Sequence, residues 1–555
     1  RPPRSTLFPY TTLFRSKFGD LEGMKIVLKL EQWDDPRHEP KMRLEKVLGK
    51  VGENETEMQA AVLDRGLVMG FEPEVEAAAD KVKEKSKELI AAAYETRRDM
   101  RDRLMFTIDP ADAKDFDDAL SVKTLDNGNY EIGIHIADPS FFVTEGSVLD
   151  KAAYERATSI YLVDRTIPML PEVLSNDLCS LNPHEEKLTF SAVFEITPEA
   201  EIVDRWIGET ITISDHRFSY QEAQQVLDDG AGQHYDALKI LADLAVILKR
   251  KKVSNGAIEF DSKEVQFKLD ENQWPIAVEE KKHLFTMGMI EEFMLLANRE
   301  VSRFISLKDD GTKSDKPFIY RIHDKPKAEK IIEATEFLRK IGYIVDADAN
   351  GTITSKEINR ILKENKDTPM SHLISFTLLR SMNKAVYHTD NIGHFGLGFK
   401  HYSHFTSPIR RYPDLLAHRL LRRYIAGEDI AKSEKKKIQT QAVHSSEMEI
   451  KAVDAERESI KFKYTQFFSK KIGDELDAII FKVTKYGILI EDVETKAEGM
   501  INVREMDGDF YEFNEKTLTL HGKNKGKVFR VGDKVRAKVI NTDIEQKKID
   551  FSLVK

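Results

Sequence analysis

The sequence predicts a multidomain α+β protein, a large mixed α/β body followed by a small OB-type β-barrel. Three observations carry this. The chain has 555 residues, about three to four domains' worth at ~150 residues each. Its middle alternates short apolar strands with long helical patterns. Its last ~80 residues hold five short runs with Gly and Asp at the turns, the pattern of a small closed barrel.

The elements follow in order. Residues 6–16, TLFPYTTLFRS, read like a translated sequencing-adapter oligonucleotide, so residues 1–16 are set aside as non-native. On that expectation the natural N-terminus is missing. Residues 17–62 alternate in part, with Asp34-Asp35-Pro36 as a turn, and read as the end of a small β domain. Residues 63–103 form a connector whose Glu72–Arg103 stretch is Ala-, Glu- and Lys-rich at helical spacing. The body spans 104–469. Leu104–Ile108 is a short strand, and Ala119–Leu125 and Tyr130–Ala137 flank an Asp126-Asn127-Gly128-Asn129 hairpin turn. Helices are expected over Tyr220–Lys252, Phe285–Phe304, Ala328–Ile341, Ser371–Val386, Tyr412–Tyr424 and Lys436–Ser469. Residues 470–555 form the barrel, with strands at Asp477–Val483, Gly487–Ile490, Gly499–Asn502, Val535–Ile540 and Ile549–Leu553.

Composition narrows the function classes. No run of about 18 apolar residues occurs, and no apolar leader is visible at the N-terminus. The single cysteine, Cys179, excludes an intramolecular disulfide and a multi-cysteine zinc site. A soluble, cytoplasmic protein is expected. The net charge is −10, yet residues 520–555 carry ten Lys/Arg against four Asp/Glu. Charge acts by patch, so a basic C-terminal segment remains available to phosphates.

The sharpest chemical feature is TIDPADAKDFDDALS, Thr107–Ser121, which places Asp109, Asp112, Asp115, Asp117 and Asp118 within ten residues. Carboxylates so crowded favour protonation unless a cation compensates. Mg²⁺ held by one or two carboxylates plus phosphate oxygens is the natural compensator, and it suits in-line phosphoryl chemistry. The plain alternative is a solvated acidic loop. A calcium loop is disfavoured, because Lys114 and Leu120 stand where it needs Gly and Glu.

The second feature is HYSHFTSPIRRYPDLLAHRLL, His401–Leu421. Arg410 and Arg411 precede a helix with Pro413 near its start, which suits phosphate contacts, or a surface ion pair. His401 and His404 would be a weak zinc pair. In YRIHDKP, Arg321 and His323 alternate on an extended segment and could contact substrate. In the barrel, Phe481, Tyr486, Phe510 and Tyr511 lie among basic residues, as in single-strand binders or as plain core.

Together these motifs, with HIADPS, IPMLPEVLSNDLCSLNP and HFTSPIRRYPD, resemble the ribonuclease II / ribonuclease R family in order and spacing over about 104–469. YRIHDKP and SPIRRYPD lean towards its ribonuclease R branch. The tail resembles an S-one RNA-binding domain, and residues 17–62 resemble the end of a cold-shock domain. The resemblance implies an RNB catalytic body between OB barrels. It implies processive 3′-to-5′ hydrolysis of single-stranded RNA to 5′-nucleoside monophosphates with Mg²⁺, or Mn²⁺ in its place. The non-catalytic alternative is an RNA-binding protein on a degenerate nuclease scaffold.

Carried over residue by residue, Asp109, Asp115, Asp117 and Asp118 are the catalytic carboxylates. Asp109 and Asp118, with Asp115, would hold the metal, and loss of Asp117 would hurt chemistry most. Arg410 or Arg411 would hold phosphate near the scissile bond, beside Ser407. Tyr161 would clamp the terminal base, with Phe260 as partner, and Glu292 and Glu456 would lie near the 3′ end. The implied partners are single-stranded RNA and the ribosome or RNA-decay machinery, with no membrane and a monomeric enzyme. The missing N-terminal part and the absence of a Lys-rich tail put substrate selection and duplex unwinding in doubt.

Overall fold

A computed structural model describes residues 21–554, except 36, 261–263, 344, 346–352, 367, 369, 507, 508 and 516. The expectation that residues 1–16 are non-native lies outside the described residues.

The N-terminal segment is an antiparallel hairpin, β1 (Met24–Gln32) and β2 (Lys41–Lys50), followed by helix α1 (Asn54–Leu63). Helix α2 spans Pro73–Ala93 and starts on a proline, as a fixed φ favours. It is shorter than the Glu72–Arg103 helix expected, because Arg98–Asp99 (β3) instead joins the edge of the central sheet.

That sheet has seven strands, adding β4 (Met105–Asp109), β5 (Asp118–Thr124), β6 (Tyr130–Ala137), β7 (Glu186–Ile196), β8 (Ile202–Ile213) and β9 (His216–Ser219). The order is β9-β4-β5-β6-β7-β8-β3, with parallel pairing only at the two edges. Both faces are buried. Phe106, Ile108, Leu120, Ile134 and Phe190 enter one core, while Met105, Ala119, Ala137 and Leu188 enter the other. Period-two alternation thus serves two apolar layers instead of one. Burial on both faces also explains why the long β7–β8 hairpin escaped the sequence reading: its apolar run hardly alternates.

The first core is covered by α3 (Tyr220–Asp229), α4 (Tyr235–Ser254) and α5 (Phe285–Ser306). The single helix expected over Tyr220–Lys252 is two. Gly230 ends α3 with φ +67°, and Gly232 follows at φ +136°, a turn that a continuous helix cannot hold. The second core is closed by α6 (Tyr412–Ile425) and α7 (Glu434–Ser469). The Ser371 helix ends at Ser381, and Val386–His388 is a strand paired with Tyr320–Ile322. A further helix, Ser355–Asn365, was not expected.

The C-terminal segment closes a five-stranded barrel from Glu475–Thr484, Gly487–Asp492, Glu498–Asn502, Lys534–Asp543 and Lys548–Leu553. Tyr486 and Phe510 are exposed, and Lys485 lies 5.1 Å from the Tyr486 ring. Phe481 and Tyr511 are half-buried, Tyr511 against Phe529. No helix among the described residues is long and apolar enough to cross a membrane.

One close approach tests the sheet. A Cβ at Gly133 would collide with His135 Nε2 and Ser121 Oγ, which are hydrogen-bonded to each other at 2.8 Å in the buried sheet. Gly133→Ala is expected to cost about 1–3 kcal/mol. Urea unfolding measures this, and an unchanged midpoint would refute the packing.

Candidate active site

The acidic loop joins two antiparallel neighbours. Asp109 is the last residue of β4 and Asp118 the first of β5, so strand pairing alone brings both to the same end of the sheet. The intervening residues are held from several sides. The Ala137 N–H donates to the Asp117 carbonyl (2.8 Å), and the Phe116 N–H to Ser180 Oγ (2.9 Å). Ser180 Oγ donates in turn to the Lys114 carbonyl (2.9 Å). Thus the SNDLCSLNP segment, which begins in a π-helical turn over Val173–Leu178, fixes the loop's far end.

Arg217 of β9 holds the near end. Its Nη2 donates to the carbonyls of Ala111 (2.7 Å) and Pro110 (3.2 Å), and the guanidinium lies 4.8 Å from the Phe116 ring. Sequence reading missed Arg217 and Ser180. Arg217 lies in a segment with no local signal, and Ser180 lies in the SNDLCSLNP motif, whose contact with the loop spans 64 positions.

Asp117 is buried, at 5% exposure. Its Oδ1 accepts the Ile409 N–H at 3.0 Å across 292 positions of sequence. Arg410 Nε stands 3.5 Å from Asp117 Oδ2. Among the described residues, Asp117 Oδ2 and Asp109 Oδ2 are buried with no hydrogen-bond partner. Asp112 is exposed.

The electrostatics follow from burial. Desolvation pushes Asp109 well above the usual carboxylate range, and the charges of Asp118 and Asp117 add to it. Asp117 is likewise pushed well up by burial, against the pull of Arg410. Burial raises Asp115, and it lifts Asp118 to about 6 although Arg410 and Arg411 oppose it. Tyr220, also missed from sequence, has its phenol pushed up by burial and then by Asp118 and Asp109.

This has a consequence for the metal-free protein. Protons held at a raised pKa stabilise the fold below the unfolded value of 3.8, and that stability is lost as pH rises through the folded value, about 6 for Asp118. In EDTA the melting temperature is expected to fall between about pH 5 and about pH 7, less steeply in Asp118→Asn. Mg²⁺ is expected to restore it. Melting temperatures rising across that window in both proteins would contradict the burial.

The arginine pair divides. Arg411 is tied to Asp414 by two bonds, Nε to Oδ2 (2.9 Å) and Nη2 to Oδ1 (2.6 Å), and Asp414 is fully buried. Arg410 is anchored by Ser407 Oγ (2.9 Å), and 41% of its side chain remains exposed beside Asp117. Tyr161, 41% exposed, borders the same pocket: its phenol feels Arg410, Asp115 and Asp117.

The remaining expected residues are held by partners of their own. Arg321 forms a two-pronged pair with Glu449 (2.7 and 2.9 Å) against Tyr387. His323 is bonded through both ring nitrogens, to the Asn383 carbonyl and the Gly396 N–H. Glu292 is buried against Lys252 at 2.5 Å. Glu456 is half-buried and raised by burial and by Glu264. Phe260 packs on the apolar cluster of the 331–382 lobe. Of the zinc pair, His401 Nδ1 meets Ser306 Oγ (2.6 Å) and His404 Nδ1 meets the Tyr387 hydroxyl (2.7 Å), so each is held separately.

Comparison with known proteins now decides the family. The RNB domain model matches residues 97–427. The chain belongs to the ribonuclease R family. The S1 RNA binding domain model matches residues 469–553, and the Dis3-like cold-shock domain 2 model residues 2–66. Ribonuclease R 1 of Lactococcus lactis is 38% identical over 99% of this chain and 67% of its own length. Mycoplasma genitalium RNase R in complex with ribose-methylated single-stranded RNA superposes with a TM-score of 0.87 at 29% identity, over 96% of this chain and 83% of that one. Yeast Ssd1, a pseudonuclease, shares the fold with a TM-score of 0.71 at 18% identity, over 92% of this chain and 63% of that one. Membership of the ribonuclease R family makes this chain an exoribonuclease of the hydrolase class, with an RNB body between a segment matching the cold-shock domain, seen here as the β1–β2 hairpin and α1, and a closed S1-type barrel.

Proposed function

We propose that the chain degrades single-stranded RNA from its 3′ end, processively, to 5′-nucleoside monophosphates, using Mg²⁺ at the Asp109–Asp118 pocket. Mn²⁺ is the expected substitute. The observation that carries this is the pair of buried, unpartnered oxygens, Asp109 Oδ2 and Asp117 Oδ2, with a half-exposed arginine beside them.

The donor set fits the ion. Among the described residues no three His, Cys, Asp or Glu side chains form a closed metal cage. Mg²⁺ does not ask for one: it takes one or two carboxylates and completes its shell with water and substrate phosphate. Asp109 and Asp118 would hold it, with Asp115 nearby in the same loop, and when bound it would supply Lewis-acid polarisation of the scissile phosphate.

The chain's own residues do the rest. Asp117, fixed through Oδ1 by the Ile409 N–H, turns Oδ2 towards the reacting centre and orients water there. Arg410 offers guanidinium N–H groups to the phosphate. Arg411 acts through Asp414, which accepts the Ser407 N–H at 2.9 Å and so sets the loop that presents Arg410. Tyr161 stacks on the terminal base.

The non-catalytic reading draws on the shared fold with a pseudonuclease, and the intact aspartate set argues against it. Product chemistry tests the proposal: chromatography of a digest is expected to show nucleoside 5′-monophosphates. Cyclic or 3′-phosphates would overturn it, because attack by the ribose 2′-hydroxyl would then replace attack by water.

A further inference from the structure

Tyr161 sits on a two-residue hairpin, with Ile160 paired to Ile167 and Tyr161 to Thr166. One end of this hairpin is tied to the arginine loop. The Ser159 N–H donates to the Arg410 carbonyl (3.0 Å), and the Tyr412 N–H to the Ala157 carbonyl (2.9 Å). The other end, Leu162–Arg165, is tied to the N-terminal segment. Asn54 Nδ2, at the start of α1, donates to Asp164 Oδ2 (2.7 Å), and Arg165 pairs with Glu55 (2.6 Å).

The junction is buried. The Asp164 side chain is 1% exposed and Lys463 is fully buried. Lys463 Nζ donates to Asn54 Oδ1 (2.6 Å) and to the Gln273 carbonyl, while Ser459 Oγ receives the Val163 N–H (3.2 Å). Asn54 therefore spans an anion and a cation, donating to one and accepting from the other. The amide does both, which neither a carboxylate nor an apolar side chain can.

We propose that Asn54 and Asp164 are positioning residues for Tyr161, so that the N-terminal β domain braces the aromatic that holds the RNA end. The inference rests on the reading of Tyr161 as an end contact. A long RNA touches outer domains as well, whereas the last few nucleotides depend on contacts inside the pocket. A loosened hairpin therefore affects short RNA most.

The test uses the full chain. Asn54→Asp sets two carboxylates at hydrogen-bond distance and is expected to speed amide exchange across residues 158–167 about tenfold. It is also expected to lengthen the limit product, with initial rates on long RNA little changed. Asn54→Ala gives the same direction without added charge. The exchange Asn54→Asp with Asp164→Asn restores amide, carboxylate and Lys463 in mirrored order, though it removes the Arg165–Asp164 ion pair, and is expected to recover at least half of the change in both readouts. Tyr161→Ala, measured alongside, is expected to lengthen the limit product by itself. If Tyr161→Ala does so and both Asn54 variants leave exchange and limit product unchanged, the brace is refuted and the clamp stands. If Tyr161→Ala leaves the limit product unchanged, the clamp reading falls, and the brace with it.

Discussion

Asp117→Asn is expected to abolish RNA hydrolysis while leaving RNA binding within about threefold of wild type. The substitution keeps the side chain's shape, and its amide oxygen can still accept the Ile409 N–H. What it removes is an ionisable carboxyl oxygen, buried, without a hydrogen-bond partner and faced by Arg410. A loss of ~10³-fold or more, about 4 kcal/mol of transition-state stabilisation, follows for a group acting mainly in the transition state. Single-turnover degradation and equilibrium binding, measured on one RNA, separate the two effects. Wild-type turnover would refute the site; loss of binding with loss of turnover would make Asp117 a substrate-holding residue instead.

The second large effect distinguishes two adjacent arginines. Arg410→Ala is expected to lower turnover about 10²–10³-fold, as for loss of one donor at a developing charge. Its side chain is 41% exposed, so the melting temperature should hardly move. Arg411→Ala is expected to act through the fold. It leaves Asp414, fully buried, without its guanidinium partner. Stranding one member of a buried pair costs about 3–5 kcal/mol. A thermal melt beside an activity assay decides the matter. A stable, inactive Arg411→Ala protein beside an active Arg410→Ala protein would exchange the roles.

Neither arginine could be chosen from sequence. The two are neighbours with like side chains, and only the fold shows that Asp414, one turn along α6, has taken Arg411. Arg321 and His323 show the same limit from the other side. Their alternation on a strand was legible, but Glu449, Asn383 and Gly396, which occupy them, come from remote segments.

The acidic cluster was legible because its members are local and strand pairing needed no long-range information beyond β4 and β5. The C-terminal barrel was legible for a similar reason: one buried face leaves a clean alternation. The small three-stranded sheet inserted in its sequence, Tyr511–Asn514, Thr519–Gly522 and Val528–Arg530, was not, since its strands are only three or four residues long. Tyr220 and Arg217 were invisible as site residues. Arg217 reaches the acidic loop through β9, and Tyr220 follows it, because the parallel pairing of β9 with β4 joins segments about a hundred positions apart.

The measurement closest to the central claim is a time course on 5′-labelled single-stranded RNA, with Mg²⁺ and with EDTA. Full-length RNA is expected to pass directly to a fragment of a few nucleotides, with Mg²⁺ only. Clear binding without cleavage, or a cleavage ladder that persists in EDTA, would contradict a metal-dependent, processive 3′-end exonuclease.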